Sequence, residues 1–157
     1  FPTRRSSDLR APRKGEVDGV NYFFLTREEF DRRVANGEFV EWAEVHGNCY
    51  GTLVSEVTSK LASGASLILE IDVQGALQVK ERFPEAVLIF IKPPSLEVLR
   101  ERLVGRGTET PETIELRMAN AADELALADR YDDVVVNDDL DRATDELVRV
   151  LDMHERI

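Results

Sequence analysis

The stretch Leu67-Ile68-Leu69-Glu70-Ile71-Asp72-Val73-Gln74-Gly75 decides the fold class. Its first five residues are a short, nearly continuous apolar run, as a buried parallel strand requires. Glu70 and Asp72 close that run, and a helical pattern over about 74–83 follows. Val87-Leu88-Ile89-Phe90-Ile91 is a second such run and Val134-Val135-Val136 a shorter third. Helical patterns over about 95–104, 112–128 and 139–155 lie between and after them. Strands and helices in alternation predict an α/β domain with a mostly parallel sheet. Two carboxylates two apart at the end of a strand point to one side, at the sheet edge where such folds bind ligands. Structural ion pairs are the other reading of Glu70 and Asp72.

Start signals sharpen the helices. Thr26-Arg27-Glu28-Glu29 reads as a capping box ahead of a helix near 27–36, which Gly37 ends. Ser95 follows Pro93-Pro94 as a cap, and Thr110-Pro111 places a cap before a proline at the first helical position. The stretch 38–52 differs. Phe39, Glu41, Ala43 and Val45 alternate with Glu38, Val40, Trp42 and Glu44, the pattern of a half-exposed strand. With 10–25 it predicts a small mixed sub-structure inserted into the sheet domain.

Composition bounds the function. A chain of 157 residues with 43% hydrophobic content can bury one core, and neither a repeat nor a long linker divides it. A net charge of −11 argues against a nucleic-acid partner, because phosphate backbones reward a basic surface. One cysteine, Cys49, leaves no intramolecular disulfide, and the histidines, His46 and His154, are too far apart for a metal pattern. No apolar run reaches the length of a membrane span and no signal peptide is visible, so the expectation is a cytoplasmic location.

Arg10-Ala-Pro-Arg13 sets two arginines three apart around a proline, a stiff fork of guanidinium donors suited to a phosphate dianion. Tyr22 could add a hydroxyl donor. A basic surface loop with two unrelated arginines has the same sequence. The rest of the chain narrows the choice: Glu41-Trp42-Ala43, Gly47-Asn48-Cys49-Tyr50-Gly51-Thr52, Glu70-Ile71-Asp72-Val73-Gln74-Gly75, Gly105-Arg106-Gly107-Thr108 and Val136-Asn137-Asp138-Asp139 follow in order. This series resembles the guanylate kinase family from Arg10 almost to the C-terminus.

The resemblance implies transfer of the terminal phosphoryl group of ATP to GMP, with Mg2+ bridging the ATP phosphates. It implies a P-loop kinase fold in which 10–65 is the GMP-binding region and 66–157 the core, with a lid near 103–117. Glu41 matches the carboxylate that reads the N1–H and exocyclic amine of guanine; adenine would leave that acceptor unpaired. Without the family pattern Glu41 reads as a solvated strand carboxylate. Thr52 matches a hydroxyl on the base, and Tyr50 joins Tyr22, Arg10 and Arg13 on the GMP phosphate. Gly47 and Gly51 fit turn positions around Tyr50. Asp72 matches a residue on the GMP side and Glu70 one near magnesium, through water. Arg102, Arg106 and Arg117 match arginines around the lid, which place positive charge on the transferring group. Arg100 reads as a surface residue. Asn137 matches an asparagine beside the adenine of ATP, although Asn before Asp-Asp is also an ordinary cap signal. Partners are thus GMP and ATP, with no obligate protein partner implied.

Two departures from the family pattern carry expectations of their own. None of the nine glycines is followed by lysine, so no Gly-x-x-x-x-Gly-Lys-Ser/Thr loop is present to grip ATP. The expectation is a fragment that is inactive by itself. Residues 1–9, Phe-Pro-Thr-Arg-Arg-Ser-Ser-Asp-Leu, are what TTC CCT ACA CGA CGC TCT TCC GAT CT encodes, the end of a common sequencing adapter. They are excluded from the fold reading as an expected artefact. A non-catalytic guanylate-kinase-like binding module and a related sugar-phosphate kinase are the competing readings. Retention of Glu41, Thr52, Asp72, Arg106 and Asn137 argues against the first, and the pair Glu41 and Thr52 against the second.

Overall fold

The computed structural model describes residues 6–8, 17, 23–45, 48–105, 107 and 110–155, with the side chains of 6–8 and 45 excepted. The chain divides between Ala86 and Val87 into two compact units.

The first unit is built on a four-stranded sheet in the order β2-β1-β4-β3. Its strands are β1 (Ser6–Asp8), β2 (Phe23–Phe24), β3 (Phe39–Val45) and β4 (Asn48–Leu53). β1 runs parallel to β2 and antiparallel to β4, and β3 and β4 form an antiparallel pair. Ser6–Asp8 thus occupies an interior place in a sheet from which the sequence reading had excluded residues 1–9. A ladder uses backbone groups, so it accepts a segment whatever its side chains.

Helices cover both faces. α1 (Arg27–Ala35) begins where predicted, with the Thr26 hydroxyl accepting from Glu29 N at 3.2 Å, and Gly37 follows it at φ 68°. Its Phe30 is fully buried against Phe39, Cys49 and Leu53. α2 (Val54–Ala62) and α3 (Val73–Arg82) lie on the other side, where Val57 and Val79 pack with Val40. α2 was not foreseen. It starts directly after β4 on Leu53, which supplies no side-chain cap, so the helical spacing of Val54, Val57 and Leu61 has no start signal before it.

The deciding stretch itself is a partial miss. Leu67 to Ile71 belongs to no ladder of the four-stranded sheet; only Ile68 forms an isolated bridge. The segment is still extended in its burial: Leu67, Leu69 and Ile71 pack into the Val40 cluster, while Ile68 is 48% exposed and Glu70 and Asp72 are exposed. An apolar run reports that a segment is to be covered, not that another backbone stands beside it to pair with.

In the second unit β5 (Ile89–Lys92) and β6 (Asp133–Val136) pair in parallel, as the sequence predicts. Their crossover holds α4 (Leu96–Gly105), as expected over 95–104, and then α5 (Pro111–Leu125) and a short 3₁₀ turn (Ala128–Arg130), where a single helix over 112–128 was expected. Ser95 and Thr110 cap α4 and α5 through Val98 N and Thr113 N. α6 (Leu140–Glu155) lays Ala143, Leu147 and Val150 on Val135 and Ile89, and His154 in its last turn meets the Asp133 carboxylate at 2.7 Å. Among the described residues no helix is long and apolar enough to cross a membrane.

Candidate active site

A carboxylate buried on a strand needs a reason to be there, and Glu41 is only 5% exposed. The β3–β4 register supplies the geometry. Phe39 stands opposite Leu53, yet Glu41 stands opposite Thr52, so two steps along β3 match one along β4. The extra residue is Val40, a β-bulge. Strict alternation would put Glu41 on the face of Phe39, as the sequence reading supposed. The bulge turns it to the opposite face, with Val40, while Trp42 falls on the α1 face, its ring edge-on to Phe30 at 6.3 Å.

On its new face Glu41 meets matched chemistry. Its Oε1 accepts from the Thr52 hydroxyl at 2.6 Å, and Thr52 is itself 7% exposed. Burial pushes the Glu41 carboxyl above the ordinary range; the Thr52 hydrogen bond opposes that shift and the negative charge of Asp72 adds to it. Tyr50, half-buried and two residues from Thr52 on β4, lies on the same face.

Asp72 is the N-cap of α3, its Oδ1 accepting from Gly75 N at 2.7 Å. This brings the first turn of α3 under Glu41. A Cβ on Gly75 would stand 2.8 Å from Glu41 Oε2 and 3.4 Å from Asp72 Oδ1, so only glycine admits both carboxylates at this distance. Gly51 is corrected in the same way. It lies inside β4 rather than in a turn, and a Cβ there would meet the Phe39 ring at 2.7 Å. Its requirement is space. Glu70 lies on the exposed side of the segment leading to Asp72, and among the described residues no cluster of three His, Cys, Asp or Glu could hold a metal ion.

The second unit gathers another set. Arg102 of α4 donates to the carbonyls of Asn137 at 2.8 Å and Asp138 at 3.1 Å, joining one predicted site residue to another. Asn137 follows β6, and its own N–H donates to Lys92 O at 2.8 Å. Asn137 does not cap α6; Asp139 does, accepting from Arg142 N at 3.0 Å. Arg117 is exposed on α5. Arg100 is a surface residue as expected, but its guanidinium forks onto Glu115 at 2.5 and 3.0 Å and so ties α4 to α5. Arg10, Arg13, Tyr22, Gly47 and Arg106 lie outside the described residues.

Sequence reasoning missed three contributors: the Val40 bulge, Gly75 as the space beside Glu41, and Gln78, whose amide pairs with the Trp42 backbone. Gly75 was visible within a motif, but only the packing shows what it makes room for.

Comparison with known proteins gives the family. The sequence model of the family described as "Guanylate kinase" matches residues 6–154. The guanylate kinase of Halalkalibacterium halodurans is 53% identical over 93% of this chain and 72% of its own length. That of Gloeobacter violaceus is 56% identical over 93% of this chain and 71% of its own. The crystal structure of guanylate kinase from Anaplasma phagocytophilum superposes with a TM-score of 0.75 at 39% identity, over 96% of this chain and 73% of that one. By sequence match and by fold, the chain belongs to the guanylate kinase family.

Proposed function

We propose that the first unit is the GMP-binding part of an enzyme that transfers the terminal phosphoryl group of ATP to GMP, giving ADP and GDP. The observation that carries this is Glu41, a buried carboxylate with one oxygen on Thr52 and the other at the first turn of α3. A carboxylate accepts from the N1–H and exocyclic amine of guanine together; adenine offers no N1–H and would leave a buried acceptor unpaired. Thr52 orients the carboxylate and contacts the base, and Asp72 flanks it. Tyr50, with Arg10, Arg13 and Tyr22, holds the GMP phosphate.

No general base is required, because the attacking phosphate oxygen is already anionic. Catalysis then rests on alignment and on positive charge at the transferring group. Arg102, Arg106 and Arg117 supply that charge, and Asn137 lies beside the adenine. Arg102 donates to two solvent-accessible backbone carbonyls, where water can take its place when it turns to a phosphate. Mg2+ bound to the ATP phosphates neutralises their charge. The exposed carboxylate of Glu70 suits a water-mediated contact to such an ion, since Mg2+ keeps most of its waters. Asp72, with an oxygen committed to Gly75 N, serves the GMP side. A cytoplasmic location goes with this reading, since ATP and GMP are available there.

Calorimetric titration of the chain with GMP and AMP tests the reading. GMP should bind and AMP should not compete. Glu41→Gln presents one donor to a guanine donor and should weaken GMP by about 10- to 100-fold. Equal affinity for the two nucleotides, or a Glu41→Gln chain that binds GMP normally, overturns it.

A further inference from the structure

Among the described residues β3 is the last strand of its sheet, so no described strand pairs with one side of its backbone. At Trp42 that side is occupied. Trp42 N–H donates to Gln78 Oε1 at 3.1 Å, and Gln78 Nε2 donates to Trp42 O at 3.0 Å. The side-chain amide thus copies, for one residue, the paired donor and acceptor of a missing strand. The Trp42 N–H belongs to the peptide unit that begins at Glu41. Holding it fixes the plane from which the Glu41 side chain departs.

The site of this contact has a reason. A bulge interrupts ladder bonding and frees the strand to twist, and the Val40 bulge immediately precedes Glu41. α3 braces both sides of it. Arg82 donates to the carbonyls of Gly37 at 3.1 Å and Phe39 at 2.8 Å before the bulge, and Gln78 holds Trp42 after it. Gly75, Gln78 and Arg82 recur at three and four residues, one stripe of the helix. The same helix carries Asp72 as its cap.

We propose that Gln78 is a positioning residue for guanine recognition: its side-chain amide closes the open edge of β3 at Trp42 and so aims the bulge-turned Glu41 carboxylate at the base. The proposal rests on the GMP reading of Glu41. Gln78 touches neither nucleotide nor reacting atoms; it acts through the strand.

The test compares the full chain with its Gln78→Leu and Gln78→Glu variants. GMP, IMP, which has the same phosphate and N1–H but no exocyclic amine, and AMP are titrated into each. Exchange of the Trp42 amide hydrogen is followed by NMR. In Gln78→Leu the Trp42 amide should exchange faster and GMP should weaken roughly tenfold, while IMP weakens less, so that the preference for GMP over IMP shrinks. Gln78→Glu keeps the acceptor for Trp42 N–H and loses the donor, so it should fall between, and it carries the test if Gln78→Leu does not fold. Equal weakening of GMP and IMP, or faster Trp42 exchange with an unchanged preference, overturns the positioning role and leaves the GMP reading intact. A wild-type chain that binds AMP as well as GMP overturns both.

Discussion

The two faces of the β3–β4 pair are made by alternating residues of the same two strands and behave as opposites. Toward α1, Phe39, Cys49 and Leu53 surround Phe30, whose ring lies 4.6 Å from that of Phe39. Toward α2 and α3, Glu41 and Thr52 are just as buried, yet polar and hydrogen-bonded to each other. The apolar face holds the unit together by area and shape, which tolerate many sequences. The other face buries Val40 with Val57 and Val79 and sets the polar pair among them. In the proposed function that pair selects the ligand, because a buried carboxylate is costly unless each partner is in place. One extra residue, Val40, separates the two outcomes.

Three perturbations separate the faces further. Phe30→Ala should strike only the first: removing a fully buried ring costs about 3–5 kcal/mol, read as a drop in the denaturation midpoint. The guanine-over-adenine preference of the chain that remains folded should survive; its loss would mean the faces are not separable.

Gly75→Ala should strike only the second. The new methyl would meet Glu41 Oε2 at 2.8 Å, so the carboxylate must move, and GMP should weaken by about 10- to 100-fold. Stability should change little, because alanine gains about 1 kcal/mol of helix propensity against the crowding. Unchanged GMP affinity with a lowered midpoint would assign Gly75 to packing alone.

Asp72→Asn is the gentlest. Asparagine caps a helix as well as aspartate, so the fold should be kept while a negative charge beside Glu41 is removed. A carboxyl raised by burial is stabilised in its protonated form by the fold. Its contribution to stability is complete below the ordinary value of 4.5 and is lost as pH rises through its folded value. Guanine binding runs the other way, because it needs the carboxylate. Affinity for guanosine, which has no phosphate to titrate, should therefore fall on acidification at a pH above 4.5. In Asp72→Asn that fall should move to lower pH, by an effect of about 1 kcal/mol or less. An unmoved pH profile would show that Asp72 does not act on Glu41 through its charge.

Much of the fold was legible. Thr26, Ser95 and Thr110 announced α1, α4 and α5 because caps act locally. The parallel pairing of β5 and β6 followed from their apolar runs and the helices between. Leu67–Ile71 misled because an apolar stretch does not name its neighbour, and α2 was silent because its start lacks a cap. Of the site, Glu41, Thr52, Tyr50 and Asp72 were nameable through the family pattern, and the first unit brings Glu41, Thr52 and Asp72 to a common place.

The sequence by itself determined which chemical groups are available: a carboxylate and a hydroxyl eleven residues apart, a capped helix with glycine in its first turn, and arginines beside glycines. It could not determine the side of the sheet on which Glu41 stands. Side chains alternate with a period of two, so one added residue reverses every face beyond it, and whether a residue is added depends on the partner strand. The register of β3 on β4 decided that in three dimensions, and the space at Gly75 receives the carboxylate on that side.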